Sequence, residues 1–403
     1  MNIIFYAESG FNPKNGGIER VSHMLSNEFI SLRHQVFFVS RYPGPPDEQY
    51  TPAVPQLILP NQKKICSTSN IAEFTDFVKK NMVDIIICQH SYNKDFTTLP
   101  YLVKQKTGVK ILYSIHTTPN YQTITLEAAT KSKPILPSEK SIARQYRRIM
   151  RIVFKQQKIK SKNKKMAALL NLLNKFGDGV VLLSEKYIPI TQHISGLTTT
   201  DKLFAINNPN TYISSEIDTT IEKENSLLFV GRLTTEKHPE KAMLLWQRIQ
   251  NRFPDWNLKI VGAGKLEKDL QILKNKLNLQ RCFIEGRRDP KPYYEKSKIL
   301  LLPSDMEGFP MVVTEAMQHG VVPIVFNTFE ALSDIIDDNI SGISIEPYNL
   351  DEFEQKLTTL MKNEEKCEQM ANAGRKSVKK FALQNIAKQW EELFDKIITD
   401  KTS

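Results

Sequence analysis

The chain is poor in the residues from which disulfide-stapled and metal-built folds are made. It has four cysteines in 403 residues, Cys66, Cys88, Cys282 and Cys367, and no two stand at a metal-ligand spacing. That argues against a disulfide framework and a zinc module and for a reducing compartment. Cys88 and Cys282 lie inside apolar runs and are expected to be inert core residues. Long hydrophobic stretches are also missing: no run approaches the ~20 apolar residues that span a bilayer. The opening Met-Asn-Ile-Ile-Phe-Tyr-Ala-Glu has no basic segment ahead of a long apolar one. It is expected to form a first strand rather than a signal peptide. These absences lead to an expected cytoplasmic location, peripheral on the inner membrane face where a surface patch allows it. Acidic residues are scarce in one place above all. Residues 131–165 hold thirteen Lys or Arg against the single acid Glu139, so the net charge of +11 is a local property.

What is present fits a soluble α/β protein of two domains, with 40% hydrophobic and 25% charged residues. Short apolar runs alternate with amphipathic stretches at βαβ spacing. In the first half they are Ile3–Tyr6, Gln35–Val39, Ile85–Gln89, Val109–Ile115, Val180–Ser184 and Leu203–Asn207. In the second they are Leu227–Gly231, Leu258–Gly262, Cys282–Glu285, Ile299–Leu302 and Val322–Val325. Fully apolar runs of this kind suit parallel strands covered by helices on both faces. Asn207-Asn208-Pro209-Asn210 and the polar stretch after it mark the break. The expected domains are residues 1–205, carrying the basic insertion, residues 206–378, and a closing helix over residues 379–403.

The densest chemistry lies at residues 304–320, where Glu307 and Glu315 flank seven residues in Ser-Asp-Met-Glu-Gly-Phe-Pro-Met-Val-Val-Thr-Glu-Ala-Met-Gln-His-Gly. The run Ile299–Leu302 before it predicts a strand and the pattern after it a helix. Glu307 then sits on the loop and Glu315 inside the helix. Pro310 is expected in the first turn, where a missing N–H costs nothing. That leaves the amides of Met311 and Val312 to bind an anion such as a diphosphate. A second loop, Gly231-Arg232-Leu233-Thr234-Thr235-Glu236-Lys237, follows a strand. It aims two cations at the place where open α/β sheets bind ligands. Arg232 and Lys237 there would stabilise a leaving diphosphate as its charge grows. Gly16 and Gly17, between the first strand and a helix, let a phosphate or sugar approach backbone amides.

These phrases, in this order, resemble the retaining glycosyltransferases of family 4, also called glycosyl transferases group 1. The resemblance runs through Gly-Gly-x-Glu at Gly16, His116 after the fourth long strand, Gly-Arg-Leu-x-x-Glu-Lys at Gly231, and Glu-Gly-Phe-Pro with Glu-x7-Glu at Glu307. It implies the GT-B architecture, two Rossmann-like domains facing each other across a cleft, with the last helix returning to the first domain. By the same resemblance Glu307 lies by the donor sugar, Gly308 and Phe309 belong to the donor-binding residues, and Glu315 holds the nucleotide ribose. Gly286 and Arg287 border the base, Gly16 and Gly17 lie beneath the diphosphate, and His116 faces the donor sugar and the acceptor. His90 is a lower-ranked second histidine. No metal or other cofactor is expected, since cations and helix amides serve the diphosphate in this architecture, and the nucleotide-sugar is a substrate. Three departures stand out. His238 replaces the family's usual Gly, His319 replaces a small residue and is read as structural, and the stretch from Ile324 to Ser344 lacks a usual glycine and acid.

The implied activity is hexosyl transfer from a nucleotide-diphosphate donor, a UDP-sugar, to a lipid-linked or polysaccharide acceptor in bacterial surface-glycan synthesis. Arg144, Arg147, Arg148 and Arg151 recur at helical steps with apolar residues between them, and the pattern extends through Lys165. A basic helix of that kind suits an anionic membrane surface. No nucleic-acid-binding module accompanies it. A soluble transferase with a small acceptor, and a non-catalytic binder of anionic surfaces, are the two alternatives.

Overall fold

A computed structural model describes residues 1–44, 50, 52, 54–89, 93–131, 135–136, 146, 149–150, 152–213, 215, 217–218 and 220–399. His90, Arg144, Arg147, Arg148 and Arg151 lie outside these, as does most of the first half of the basic segment. The chain divides into two compact units. One contains residues 1–119, 163–211 and 381–403, the other residues 120–162 and 212–380.

The first unit is a seven-stranded parallel sheet: β1 Asn2–Ala7, β2 Gln35–Ser40, β3 Gln56–Ile58, β4 Ile85–Gln89, β5 Lys110–Ser114, β6 Gly179–Leu182 and β7 Leu203–Ala205. Their order across the sheet is β3-β2-β1-β4-β5-β6-β7. The apolar runs explain the arrangement. Ile85, Ile86, Ile87 and Cys88 are wholly buried, so β4 is covered on both faces. Burial also lifts the Cys88 thiol's pKa well above its ordinary value, leaving it an unreactive core group. The helix Leu383–Thr399 packs on this unit through Trp390, Leu393 and Phe394. The Phe394 ring lies 5.4 Å from Phe29, and Glu391 Oε1 is 3.0 Å from His34 Nε2.

The second unit is a six-stranded parallel sheet: β8 Ser226–Val230, β9 Asn257–Val261, β10 Cys282–Gly286, β11 Ile299–Leu302, β12 Val322–Phe326 and β13 Ile343–Ile345. Its order is β10-β9-β8-β11-β12-β13. The strand order reverses at β1/β4 in the first sheet and at β8/β11 in the second. These are the switch points where crossovers diverge and leave a crevice at the strands' carboxyl ends.

Two strands were not legible as apolar runs. β3 and β13 have three residues each and lie at sheet edges, where one row of pairing suffices. The boundary near residue 205 moves to 211, because Ile206 N donates to Leu182 O and Asn210 N to Phe381 O. The described part of the basic insertion groups with the second unit up to Lys162, and only residues 163–165 with the first. Leu136 sits in that unit's core beside Ile135, and Lys162 Nζ donates to Gln122 O at 3.1 Å. Among the described residues no helix is long and apolar enough to cross a membrane.

Candidate active site

In the second unit the chain leaves β8 through Gly231 and turns back over the end of β9. Gly231 N donates to Val261 O, and Leu233 N to Ala263 O. The two loops touch backbone to backbone, so a Cβ on Gly262 would fall 1.8 Å from Gly231 O, at a φ of +147°. This packing fixes the loop that carries the cations. Lys237 Nζ donates to Glu307 Oε1 at 2.6 Å and to Oε2 at 2.5 Å. The pair joins the loop after β8 to the loop after β11, across the switch point. Arg232 does not converge with it. Its side chain is 74% exposed, and its guanidinium stands 3.5 Å from Glu236 Oε1.

Glu307 is buried and Gly308, beside it, half-buried. Phe309 is buried next to them, and Pro310 is the N-cap of helix Met311–Gln318 rather than its first residue. No side chain caps this helix, so the amides of Met311 and Val312 open its positive end. Glu315 lies one turn in and is 1% exposed. Its Oε2 accepts a 2.9 Å hydrogen bond from the hydroxyl of Tyr294, a wholly buried residue of helix Lys291–Lys296. His319 closes the same helix. Its Nδ1–H donates to Glu315 O, and its ring lies 5.7 Å from that of Tyr294. Burial lowers its pKa, which keeps it a neutral structural group. Gly286 ends β10 at a φ of +70° with open space where a Cβ would stand, and Arg287 follows it.

The departure at His238 has a structural answer. Its φ of 52° is the left-handed conformation that glycine adopts without penalty. The ring is buried between two carboxylates, with Nδ1 2.5 Å from Glu240 Oε1. Nε2 stands 2.6 Å from Asp305 Oδ2, off the line of an ideal hydrogen bond, so that hold is chiefly electrostatic. Burial pushes the imidazole's pKa down, but Asp305 and Glu240 together overcome this and raise it to about 9. Lys241 Nζ lies 3.3 Å from Asp305 Oδ1 and 4.9 Å from the Tyr348 ring centre. Asp305 therefore serves this ion network. Among the described residues no group of three His, Cys, Asp or Glu is placed to hold a metal ion.

The first unit's edge is built differently. Gly16 is the extended N-cap of helix Gly17–Ser31. A methyl there would fall 2.6 Å from Glu19 Oε2, so the turn carries its own carboxyl group, whose pKa burial raises. His116 follows β5, and its Nε2–H donates to Gln89 Oε1 at the end of β4 in a short hydrogen bond. Burial pushes its pKa down to about 4, so the imidazole is neutral over the physiological range.

The profile described as glycosyl transferases group 1 matches residues 214–377, and that of glycosyltransferase family 4 matches residues 15–159. The chain belongs to the GT-B glycosyltransferases of group 1 and family 4. An uncharacterized glycosyltransferase of Haemophilus influenzae is 32% identical over 194 residues, which is 48% of this chain and 55% of that protein. A Campylobacter jejuni relative is 27% identical over 221 residues, 52% of this chain and 61% of that one. It is named as an α-1,4-N-acetylgalactosaminyltransferase acting on a diNAcBac-PP-undecaprenol-linked glycan. The chain thus matches about half the length of these curated relatives. Among solved structures, Anabaena HepE in complex with UDP superposes with a TM-score of 0.72 at 15% identity, covering 98% of this chain and 100% of that one. At that identity the likeness shows the GT-B fold.

Sequence reasoning missed Tyr294, Gln89 and the partnership of His238 with Asp305. The substitution of His238 for a family glycine was a visible signal. Tyr294 and Gln89 carried none, because their roles arise from burial against residues far away in sequence.

Proposed function

We propose that this protein is a retaining hexosyltransferase that moves a sugar from a UDP-sugar to a hydroxyl of a lipid-linked or polysaccharide acceptor in bacterial surface-glycan assembly. The observation that carries the reading is the Lys237–Glu307 pair, bridging the switch point beside the uncapped head of helix Met311–Gln318. A cation, a carboxylate and two helix amides at one place suit a diphosphate with a sugar attached.

In this reading Lys237 and the amides of Met311 and Val312 hold the diphosphate, and exposed Arg232 swings onto it. Glu315 takes the ribose, and Gly286 and Arg287 take the base. Glu307 lies by the sugar. The bond from the anomeric carbon to the β-phosphate oxygen breaks, and the acceptor oxygen bonds to the same face of that carbon. The acceptor's proton passes to the departing phosphate oxygen. Charge on the leaving group is met by fixed cations and dipoles, so no step needs a metal. Neutral His116 orients groups near the anomeric carbon, and the Gly16–Gly17 turn admits the substrates to the backbone. The UDP in the HepE complex and the undecaprenol-linked substrate in the Campylobacter relative's name support the donor and acceptor classes.

Membrane docking through residues 131–165 belongs to the same reading. Tyr146, Ile149, Ile152, Val153 and Phe154 are exposed, and the helix Lys155–Phe176 that follows begins with six lysines among its first eleven residues. Apolar side chains beside dense positive charge suit anionic lipid heads. The test is thermal stabilisation by a panel of UDP-, GDP-, ADP- and dTDP-sugars. UDP-sugars are expected to stabilise the parent and not Glu315→Ala. Stabilisation by none of them, or equal stabilisation of both proteins, would overturn the assignment.

A further inference from the structure

We propose that His238 is a positioning residue for sugar transfer: its ring clamps the loop that carries Arg232 and Lys237 onto the loop that carries Glu307. The inference rests on the functional reading above and adds to it the device that fixes the cation against the carboxylate.

The geometry has three parts. His238 directly follows Lys237, and Asp305 stands two residues before Glu307, so the contact of Nε2 with Asp305 Oδ2 is a second bridge beside the Lys237–Glu307 pair. A backbone bond reinforces it, since Asp305 N donates to Glu236 O at 2.9 Å. The ring's other nitrogen is tied to Glu240 in the first turn of helix Pro239–Ile249, which anchors the clamp to a packed element. The loop after β8 is thus tied to the loop after β11 at positions 236, 237 and 238 in succession.

The backbone and the charge both indicate a role for the side chain. A non-glycine residue at a φ of 52° is strained relative to glycine. The strain is retained where the ring gains two carboxylates. Those carboxylates depend on the ring in turn. Glu240 Oε2 has no hydrogen-bond partner among the described residues, and Asp305 is 6% exposed. Two buried carboxylates with Lys241 as their other near cation would repel each other without the imidazolium. Movement of Asp305 away from the loop would carry Glu307 with it.

The test uses the full chain. His238→Asn tolerates the left-handed backbone and removes the cation. His238→Asn with Asp305→Asn also removes the carboxylate left uncompensated. UDP binding is followed by calorimetry, and hydrolysis of the best-stabilising UDP-sugar, in which water takes the sugar in place of the acceptor, gives kcat and KM from the UDP released. A displaced Glu307 is expected to lower kcat by about tenfold to a hundredfold, with donor KM within about threefold of the parent. Only part of this loss should return in the double variant, because the clamp is still absent. The parent's kcat should fall through about pH 9 as the ring loses its proton, and this limb should be missing in His238→Asn. The groups facing the ring are Glu240 and Lys241 on its own helix and Asp305 across the loop, with Tyr348 beyond Lys241. An unchanged kcat in a folded His238→Asn, with only its melting temperature lowered, would make the residue structural and overturn the inference. A fall in UDP affinity to match kcat would overturn it too. A parent that neither binds UDP nor releases it from any donor would instead defeat the functional reading, and the inference with it.

Discussion

Both units are parallel sheets with a switch point, yet they furnish their carboxyl edges to different degrees with charge. The second unit buries charge there. Lys237 meets Glu307, and His238 and Lys241 meet Asp305 and Glu240. The first unit places fewer ions at its edge: one pair, Arg41 Nη1 at 2.9 Å from Glu8 Oε1, lies just past the ends of β2 and β1. His116 is held uncharged against Gln89, and the Gly16 turn offers amides beside a carboxyl group of raised pKa. Burying ions is costly unless each is matched, so the second edge is the one built to meet a fixed charge. A diphosphate is such a charge. An uncharged imidazole such as His116 suits a partner reacting through hydroxyl groups. In the proposed reading the nucleotide goes to the second unit and the acceptor chemistry to the first.

The comparison is broken most directly by removing the central pair. Lys237→Ala and Glu307→Gln are each expected to lower the rate of UDP release by about 10²–10³-fold, the range for losing one group that stabilises transition-state charge. Steady-state release from the preferred UDP-sugar measures it. A loss below tenfold in both would remove the pair from the chemistry.

Next in size is the proposed hold of Glu315 on the nucleotide. Hydrogen bonds to a charged group contribute about 1.5–3 kcal/mol, so Glu315→Ala should weaken UDP binding roughly tenfold to a hundredfold. Tyr294→Phe removes one bond from the same carboxylate and should show a smaller loss in the same calorimetric titration.

Acid and base sharpen the contrast between the edges. His116 has a folded pKa of about 4, below its unfolded value near 6.5, so the unfolded chain binds the extra proton as pH falls. Stability from His116 is present above pH 6.5 and is lost as pH falls toward 4. His238 is raised to about 9, so its contribution is full below pH 6.5 and is lost as pH rises through 9. Thermal melts from pH 4.5 to 9.5 should show His116→Asn flattening the acid side and His238→Asn the alkaline side. Exchange of those two effects, or absence of both, would contradict the assigned environments.

The smallest effect is at the basic segment. Each lysine near an anionic surface contributes about 1 kcal/mol, so Lys160→Gln with Lys164→Gln, both exposed, should reduce co-sedimentation with phosphatidylglycerol vesicles at low salt. Parent binding that is independent of salt would show that charge is not what docks it.

Much of this was legible in the sequence because the information is local. Runs such as Ile85–Gln89 and Ile299–Leu302 carry enough apolar side chains to declare buried strands. Glu307, Pro310 and Glu315 sit at spacings that only a loop followed by a helix reconciles. What stayed hidden depends on tertiary contact. β3 and β13 are too short to produce a pattern and exist because an edge accepts them. Residues 120–162 precede the first unit's last strands in sequence, yet Leu136 finds its core in the second. Tyr294 became visible once helix packing brought its hydroxyl to Glu315. His238 looked like damage to a motif until Asp305 and Glu240 appeared on either side of it.

The central claim is that the nucleotide belongs to the second unit's charged edge. The most direct test is a calorimetric titration of UDP into the parent, Lys237→Ala with Glu315→Ala, and His116→Asn. The account predicts binding to the parent, its loss in the double variant, and near-parent affinity in His116→Asn. Loss of UDP binding in His116→Asn, with the double variant binding as the parent does, would place the nucleotide on the first unit and contradict the account.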